Sequence, residues 1–444
     1  MSQRLRTILF IGFLACFFTI TPLVMLYAAG YKFNSENRSI QKTGMLDIET
    51  SPKGALIHID GKLQEKISLA ALVRKPEAIT TPAKIKNLLP GEYLLKISSE
   101  GYWDWERKVN IYPGQALNFE DIALVRKEMP MAVTGSGLAE ALLSPGHNKY
   151  LFNIEGGQQI FDIENESTTT LNNKPGEVLA WSEGADKAII GSRVYSLSNG
   201  SSAGLPVGIP DNSLHLKFDQ NDNSVLYYIS GRSIYRIGLN GKSAEKIVDN
   251  ASDDFIARGD EIMYISRTDN KVYLNFYSLA LDNNSRKIEL PFSQKYEFIE
   301  SRKNLISLMD RERMALYIID KNSFSPIILS LNDVSKVDWI NDNSFLYSND
   351  FEIWGVDLNN RSKWLFTRLS QPITEALWHP DGKFIIFTSE NTLNILDIDG
   401  PEKKTTELIR MDSVKSPTLG AQGESVYFFG TVGGQKALYK LRLR

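Results

Sequence analysis

The sequence predicts an all-β chain behind a single N-terminal helix, on three observations. A short aromatic-aliphatic phrase recurs about every forty residues over the C-terminal two-thirds of the chain. Apolar and polar residues alternate between residues 44 and 125, and turn residues interrupt the alternation. The first thirty residues contain a long uncharged run. Because the chain has 444 residues, 42% of them apolar and 23% charged, it is long enough for two or three domains.

The uncharged run covers residues 7–29, TILFIGFLACFFTITPLVMLYAA. At about 1.5 Å per helical residue it can cross a hydrocarbon core of about 30 Å. It also exceeds the roughly 7–15 apolar residues of a signal peptide. We therefore predict an uncleaved signal anchor and a single-pass membrane protein. A signal peptide cleaved near Gly30 and a lipoprotein site at Cys16 are the alternatives.

Charge and cysteine content narrow the classes of function. Cys16 is the only cysteine, so no intramolecular disulfide can form. The formal net charge is −3, which gives no reason to expect nucleic acid as a partner. Basic residues flank the uncharged run on both sides and do not decide its orientation. Because only about six residues precede the run, we expect residues 1–6 in the cytoplasm and the other domains outside it.

The region after the anchor predicts a linker and then a small β-sandwich. Residues 30–43 are polar and read as a juxtamembrane linker. Residues 44–125 predict a β-domain of five short strands with a turn between each. The predicted strands are Met45–Thr50, Ala55–Asp60, Tyr93–Ile97, Trp103–Ile111 and Ala116–Val125.

A set of turn motifs in this β-domain indicates a family. The motifs are Pro52-Lys53-Gly54-Ala55, Thr81-Pro82, Leu89-Pro90-Gly91-Glu92-Tyr93 and Gly101-Tyr102. In content and order they resemble the PEGA family of small extracytoplasmic β-domains, named for a Pro-Glu-Gly-Ala tetrapeptide. The resemblance implies a surface or adaptor role and no catalysis.

One segment departs from the family pattern. Residues 63–80 replace the family's tight link with LQEKISLAALVRKPEAIT. The apolar residues of this segment are Ile67, Leu69, Leu72 and Val73, and they predict a short helix or a flap that lies on the sheet. The function of this segment is open.

Residues 126–136 read as a second linker, and residues 137–444 carry the recurring phrase. The copies begin at Phe161, Tyr195, Tyr235, Tyr277, Tyr317, Trp354, Asn394 and Tyr439. Their spacing of 34 to 45 residues is that of a four-stranded β-propeller blade. We predict that the phrase is the third strand of each blade and packs between blades. Eight blades are favoured, with seven as the alternative if the short second or the last unit pairs with a strand near Met131.

The seventh repeat contains the stretch WHPDGKFIIF from Trp378 onward. It resembles the repeats of WD40-like propellers of the Tol-system type, which favour a Ser-Pro-Asp-Gly turn before the second strand. Only the first and seventh units carry that turn well, so the resemblance depends on the period as much as on the motif.

Sequence motifs for catalysis and cofactors are absent. The chain contains no Gly-x-Ser-x-Gly elbow, Walker loop, His-Glu-x-x-His or Cys-x-x-Cys. The four histidines, His58, His147, His215 and His379, are expected in turns or on the surface. We therefore assign no catalytic, cofactor-binding or metal residue, and expect no cofactor and no nucleotide partner.

Two further patterns have a structural interpretation and a functional one. The stretch from Asp219 to Ser224 begins like a calcium loop, but Ser224 stands where an EF-hand needs Gly. We interpret it as a turn. Trp103 and Trp105 share parity with Val109 and Ile111, so we expect them in the sandwich core rather than in a sugar-stacking platform.

These observations predict a non-catalytic, membrane-anchored, extracytoplasmic binding or scaffold protein of the cell envelope. Its propeller loops or central funnel would bind an envelope protein or a cell-surface polymer. The alternatives are an envelope lyase or hydrolase with a funnel active site, and a secreted binding protein released by cleavage. The sequence identifies neither the individual binding residues nor the ligand, and it does not give the oligomeric state.

Overall fold

The computed structural model of the chain describes residues 3–35, 38–66, 76–135, 138, 141–171, 176–210, 213–302 and 304–444. The chain divides into two compact units, Met1–Glu128 with Leu443–Arg444, and Met129–Arg442. The helix or flap predicted around Ile67, Leu69, Leu72 and Val73 lies outside the described residues.

The first unit begins with helix α1, Gln3–Ala28. Its span Arg6–Ala28 has a mean hydropathy of 2.4, and the protein buries none of its most apolar stretch. The apolar side chains are exposed along the length of the helix, from Ile8 to Tyr27. A helix apolar on all sides matches a hydrocarbon environment better than water. The predicted N-terminal helix, long and apolar enough to cross a membrane, is confirmed.

A two-stranded hairpin follows α1 directly. Strands β1 (Tyr31–Asn34) and β2 (Ser39–Lys42) pair antiparallel, within the residues predicted as a polar linker. The linker interpretation missed them because four-residue strands are too short for their alternation to stand out among polar residues.

The rest of the first unit is a β-sandwich of two sheets, in the strand orders β6-β3-β9 and β5-β4-β7-β8. The strands are β3 (Gly44–Ser51), β4 (Leu56–Ile59), β5 (Lys62–Leu63), β6 (Ala83–Leu88), β7 (Gly91–Ser98), β8 (Trp105–Ile111) and β9 (Ala116–Ala123). Fully buried Leu46 and Ile48 of β3 face Ile57, Leu95 and Ile97 of the opposite sheet. Alternation of buried and exposed side chains along β3 and β7 thus builds one apolar layer.

The predicted sandwich is confirmed, with two corrections to its strands. Strands β5 and β6 were not predicted, although Ile85 of β6 is buried between two outward lysines. Strand β8 starts at Trp105 instead of Trp103.

The second unit begins with strand β10 (Met131–Ala132), and the described residues then form eight four-stranded antiparallel sheets. Sheet 1 comprises β11 (Ala141–Leu143), β12 (Lys149–Ile154), β13 (Gly157–Asp162) and β14 (Ser167–Leu171), and sheet 2 comprises β15 (Val178–Trp181), β16 (Lys187–Ile190), β17 (Arg193–Ser196) and β18 (Ser202–Gly204). Sheet 3 comprises β19 (Leu214–Phe218), β20 (Val225–Ser230), β21 (Ser233–Gly238) and β22 (Glu245–Asp249), and sheet 4 comprises β23 (Ala251–Arg258), β24 (Glu261–Thr268), β25 (Lys271–Ser278) and β26 (Asn283–Leu290). Sheet 5 comprises β27 (Tyr296–Ile299), β28 (Leu305–Asp310), β29 (Ala315–Asp320) and β30 (Ile327–Leu331), and sheet 6 comprises β31 (Lys336–Asn341), β32 (Ser344–Ser348), β33 (Glu352–Asp357) and β34 (Ser362–Arg368). Sheet 7 comprises β35 (Ile373–Trp378), β36 (Phe384–Ser389), β37 (Thr392–Asp397) and β38 (Lys404–Arg410), and sheet 8 comprises β39 (Ser413–Leu419), β40 (Ser425–Val432) and β41 (Gln435–Arg442) together with β10.

The recurring phrase lies on the third strand of every sheet, from Phe161 on β13 to Tyr439 on β41. The rings of Tyr235, Trp354 and Tyr439 stack on a partner across their strand pair. Tyr235 stacks on Tyr228 with ring centroids 5.4 Å apart, and Tyr439 stacks on Phe428 at 5.8 Å. The predicted position on the third strand is therefore confirmed, and packing between sheets is seen at Phe161, whose ring centroid lies 5.8 Å from that of Tyr427 in the last sheet.

The last sheet is completed by a strand from the start of the unit. Strand β10 pairs antiparallel with β41, Met131 opposite Lys440 and Ala132 opposite Tyr439. The last sheet also packs on the first, because the Tyr150 hydroxyl donates to the carbonyls of Ser416 and Tyr427. Consecutive packing with closure of the last sheet on the first makes the second unit a β-propeller.

Candidate binding site

The first strand of each sheet lines the centre of the propeller. A cleft of about 530 Å³ is bounded by first strands and their turns from sheets 1 to 6. A second cleft of about 370 Å³ is bounded by residues of sheets 1, 6, 7 and 8. Both include Gly146 and His147, so the two clefts adjoin at the turn of sheet 1.

The larger cleft combines an apolar wall with a polar rim. Leu179 of β15 is 46% exposed there, beside nearly buried Leu216 and Ile256. On the rim, the Gln220 amide donates to Glu183 Oε2 at 3.0 Å, and Arg258 Nε donates to Gln220 Oε1 at 2.9 Å. An exposed leucine beside a fixed chain of polar groups is typical of pockets that bind a ligand through both apolar contact and directional hydrogen bonds.

The turns after the first strands are fixed by buried polar side chains. Ser144, Ser182, Asp219 and His379 take the same position in sheets 1, 2, 3 and 7, and each is at most 3% exposed. Ser182 Oγ accepts the Lys187 amide at 2.9 Å, and Asp219 Oδ1 accepts the Asn221 amide at 2.8 Å. These side chains satisfy backbone donors that the tight turn would otherwise leave unpaired.

Hydrogen bonds join every neighbouring pair of sheets around the centre. In order from the first pair they are Asn148 Nδ2 to Gly184 O (3.3 Å), Gln220 Nε2 to Glu183 Oε2 (3.0 Å), Gly259 N to Asp219 Oδ2 (3.0 Å), Phe298 N to Asp254 Oδ2 (2.9 Å), Trp339 Nε1 to Glu300 O (3.0 Å), Trp378 N to Asp338 Oδ2 (2.6 Å), His379 Nε2 with Gly423 O (2.8 Å) and Thr418 Oγ1 to His147 O (2.8 Å). The ring of bonds closes, so the cleft walls are held in place without a ligand.

Asp338 is the titratable group of the smaller cleft with a perturbed pKa. Burial raises the pKa of its carboxyl from the ordinary 3.8 to about 6, and nearby Glu300 adds to the rise. The Trp378 amide and the His147 ring act in the opposite direction but do not outweigh burial. The structure therefore places a carboxyl that titrates in the mildly acidic range on the wall of the cleft.

A third cleft, of about 460 Å³, lies between the first strands of sheets 3, 4 and 5. Its buried Asp254 accepts the Phe298 amide at 2.9 Å and lies 2.7 Å from Lys217 Nζ. Its Asp253 pairs with Arg267 and accepts the Tyr296 amide. These carboxylates are engaged in holding sheets 4 and 5 together.

The structure separates the residues that the sequence singled out. His147 and His379 lie in turns, as predicted, with His379 buried there and His147 exposed. His215 is exposed on β19 and His58 is half-buried on β4. Asp219 opens a turn, as predicted, and both its oxygens accept backbone amides. Within the described residues, no group of three or more His, Cys, Asp or Glu is arranged to hold a metal ion.

The two sandwich tryptophans are both half-buried. Trp105 packs against the core, with its ring 5.9 Å from that of Phe119. Trp103 lies outside β8, with Lys127 Nζ 4.8 Å from its ring centroid. Only Trp105 thus takes the core position expected for both.

Sequence reasoning did not identify Leu179, Arg258 or Asp338, the residues that give the clefts their character. A weak indication was present at Leu179, because it precedes the buried Ala180 and so faces the opposite side of its strand. Nothing in the sequence near Asp338 indicates that the Trp378 amide, forty residues away, lies against it.

Comparison with known protein families identifies part of the first domain. The model of the PEGA domain family matches residues 79–127, the C-terminal part of the sandwich. No curated protein matches the sequence significantly.

Among solved structures, a eukaryotic initiation factor is 12% identical over 70% of this chain and 86% of its own, with a TM-score of 0.48. The Dos1 propeller is 13% identical over 72% of this chain and 96% of its own, with a TM-score of 0.47. An oligogalacturonate lyase in complex with manganese is 12% identical over 71% of this chain and 99% of its own, with a TM-score of 0.40. Such distant similarity carries neither a ligand nor an activity to this chain. By its family match and its strand topology, the chain contains a PEGA domain and a β-propeller behind an N-terminal helix that is apolar enough to cross a membrane.

Proposed function

We propose that this chain is a non-catalytic, membrane-anchored, extracytoplasmic protein that binds a segment of an envelope protein in the larger central cleft. A propeller and a PEGA domain together support a binding or scaffold role. The anchor assignment depends on the apolar span of α1, and the extracytoplasmic side depends on the PEGA domain.

The exposed leucine in the larger cleft carries the proposal. Leu179 is 46% exposed on a first strand whose next residue, Ala180, is nearly buried. A partner side chain that covers Leu179 removes apolar surface from water. Beside it, the hydrogen-bonded side chains of Arg258, Gln220 and Glu183 present polar groups in fixed positions to the polar neighbours of that partner side chain. A segment of alternating apolar and polar residues has both features, and therefore fits this cleft better than a uniformly polar polymer does.

Leu179→Asp in the full-length, detergent-solubilised chain tests the cleft. Full burial of a leucine is worth about 1.5–3 kcal/mol, and Leu179 is 46% exposed, so covering it contributes about 0.7–1.4 kcal/mol. We therefore expect partner capture from envelope extract to fall by roughly three- to tenfold. Leu281→Asp is the matched control, because Leu281 is 67% exposed in a turn outside the clefts. Equal capture by both variants, with circular dichroism unchanged, would refute the cleft as the binding site. Capture of glycan instead of protein would replace the protein partner with an envelope polymer.

Proteolysis of intact cells tests the proposed orientation. Extracytoplasmic domains should be digested by an added protease, while the residues of α1 stay with the membrane fraction. Full protection of the propeller in intact cells, with digestion after lysis, would contradict an extracytoplasmic location.

A second candidate function is a lyase or hydrolase with its active site in the smaller cleft, and Asp338 is the observation that favours it. A carboxyl whose pKa is raised to about 6 is suited to proton transfer near neutral pH. Turnover of envelope glycans or peptides by the purified chain, abolished in Asp338→Asn, would establish the activity. Absence of turnover across such a panel would leave the binding role.

A further inference from the structure

The outward face of the β1–β2 hairpin is apolar, basic and exposed. Cross-strand pairing places Tyr31 opposite Lys42 and Phe33 opposite Ile40. Because paired residues share a side of the ribbon, these four side chains form one face, which we name the outer hairpin face. Tyr31 is 36% exposed, Phe33 61% and Ile40 54%.

The opposite face of the same hairpin lies against the protein. Asn34 is only 7% exposed and its amide donates to Gln41 Oε1 at 3.2 Å. Ser39 and Gln41 are half-buried. The hairpin is thus oriented with polar residues inward and apolar residues outward, the reverse of a ribbon that faces water.

The hairpin forms a two-stranded sheet of its own and joins neither sheet of the sandwich. A two-stranded ribbon that leaves its apolar face in water is at best marginally stable. Its base is fixed, because the Thr43 amide and hydroxyl both donate to the Gly30 carbonyl, at 2.7 and 2.8 Å. An apolar surface that covers the outer face would supply the missing stabilisation.

The hairpin begins where α1 ends, at the level of a bilayer surface. The 23 residues Arg6–Ala28 span about 34 Å as a helix, slightly more than a hydrocarbon core of about 30 Å. Tyr27 therefore lies at the interface, where tyrosine is enriched in membrane proteins. Its hydroxyl accepts from Asn87 Nδ2 at 3.1 Å, so the end of strand β6 contacts the helix at that depth.

The charges around the outer hairpin face match a phospholipid surface. Arg38 and Lys42 are both exposed on or beside the hairpin. The Lys42 chain extends over Gly114, whose φ is +71°, where an added Cβ would clash with it. Exposed basic residues with aromatic and aliphatic neighbours are the composition of segments that lie in the headgroup region.

We propose that the outer hairpin face docks on the bilayer that holds α1, with Tyr31, Phe33 and Ile40 in the headgroup region and the basic residues against lipid phosphates. This inference rests on the anchor assignment made under the proposed function. It makes the hairpin a second membrane contact, which limits rotation of the PEGA domain about the helix axis.

Site-directed spin labelling of the full chain tests the docking, and the single native cysteine makes it direct. In a Cys16→Ala background, Phe33→Cys and Ile40→Cys report on the outer hairpin face. Lys32→Cys is the matched control on the other side of the same ribbon, and Phe13→Cys reports on α1 itself. Each variant is placed, one chain per nanodisc, in phosphatidylcholine with and without phosphatidylglycerol.

The readout compares relaxation of the spin label by oxygen, which partitions into lipid, with its relaxation by a nickel chelate, which stays in water. We expect the labels at residues 33 and 40 to have accessibilities between that of residue 13, inside the hydrocarbon core, and that of residue 32, which should resemble a label in water. Each basic residue near an anionic surface contributes about 1 kcal/mol, so phosphatidylglycerol should favour the docked state by roughly fivefold per residue.

Three results would overturn the proposal. Water-like labels at residues 33 and 40, with a lipid-exposed label at residue 13, would refute the docking and leave the anchor intact. A water-accessible label at residue 13 would refute both. Shielding of residues 33 and 40 from both reagents only in discs that hold two chains would assign the outer hairpin face to a second copy.

Discussion

Asp338→Asn is expected to stabilise the propeller at neutral pH and to have little effect in acid. The substitution keeps an oxygen that can accept the Trp378 amide, at 2.6 Å in the structure, and removes the ionisable proton. Burial in the cleft wall disfavours the carboxylate, which is why the pKa is raised to about 6. The asparagine carries no charge and therefore escapes that penalty.

The magnitude follows from the pKa of the carboxyl. A pKa unit corresponds to about 1.4 kcal/mol, so a rise from 3.8 to about 6 makes ionisation cost the folded state at most about 3 kcal/mol. Well below pH 3.8 the carboxyl is protonated in both the folded and the unfolded state, and the cost is absent. As the pH rises from about 4 to about 6 the unfolded chain loses the proton first, so this contribution falls over that window and stays low above it. Because Asp338 is half-buried, we expect a gain of about 1–2 kcal/mol for Asp338→Asn at pH 7.5.

Urea unfolding of the full chain in detergent, followed by tryptophan fluorescence at pH 4 and pH 7.5, measures the effect. Asp269→Asn is the matched control, because Asp269 is exposed in a turn between β24 and β25 and keeps a conformation that asparagine also adopts. Loss of stability in Asp338→Asn at pH 7.5, or a gain of the same size at both pH values, would contradict an unfavourable buried charge.

Two further pairs of substitutions test the packing by the same unfolding measurement. Gly355→Ala should destabilise the fold by about 1–3 kcal/mol, because the new Cβ would overlap the Trp364 ring. Gly238→Ala is the control and should be close to neutral, because the space around Gly238 is open. Equal effects of the two substitutions would refute the close contact at Gly355. Tyr150→Phe removes the hydroxyl that joins the first sheet to the last and should cost about 1 kcal/mol. Tyr227→Phe removes a buried hydroxyl with no hydrogen-bond partner in the described structure and should be neutral or stabilising. A loss of stability equal to that of Tyr150→Phe would show that the Tyr227 hydroxyl is hydrogen-bonded in the folded protein.

Local patterns predicted the elements of the propeller well. The third strands from Phe161 to Tyr439 were found because one apolar phrase must recur wherever one sheet packs on the next. The sandwich core around Ile57 and Ile97 was found because alternation of apolar residues determines which side of a strand is buried.

What the sequence did not reveal depends on contacts between distant residues. The pKa of Asp338 is set by a cleft wall built from four sheets, and no local pattern records that burial. The ring of hydrogen bonds joins side chains such as Thr418 to carbonyls such as that of His147, 271 residues away. The β1–β2 hairpin was missed for a local reason, because the alternation of a four-residue strand is too short to stand out among polar residues.

The pairing of β10 with β41 has a consequence for biosynthesis. Met131 meets Lys440, so the earlier strand leaves the ribosome about 300 residues before its partner. At roughly 5–20 residues per second, that strand waits about 15–60 s with an open edge. An open edge recruits wrong partners in proportion to its length, and this one is only two residues long, Met131–Ala132. The brevity of the closing strand thus limits mispairing during the interval in which the nascent propeller is incomplete.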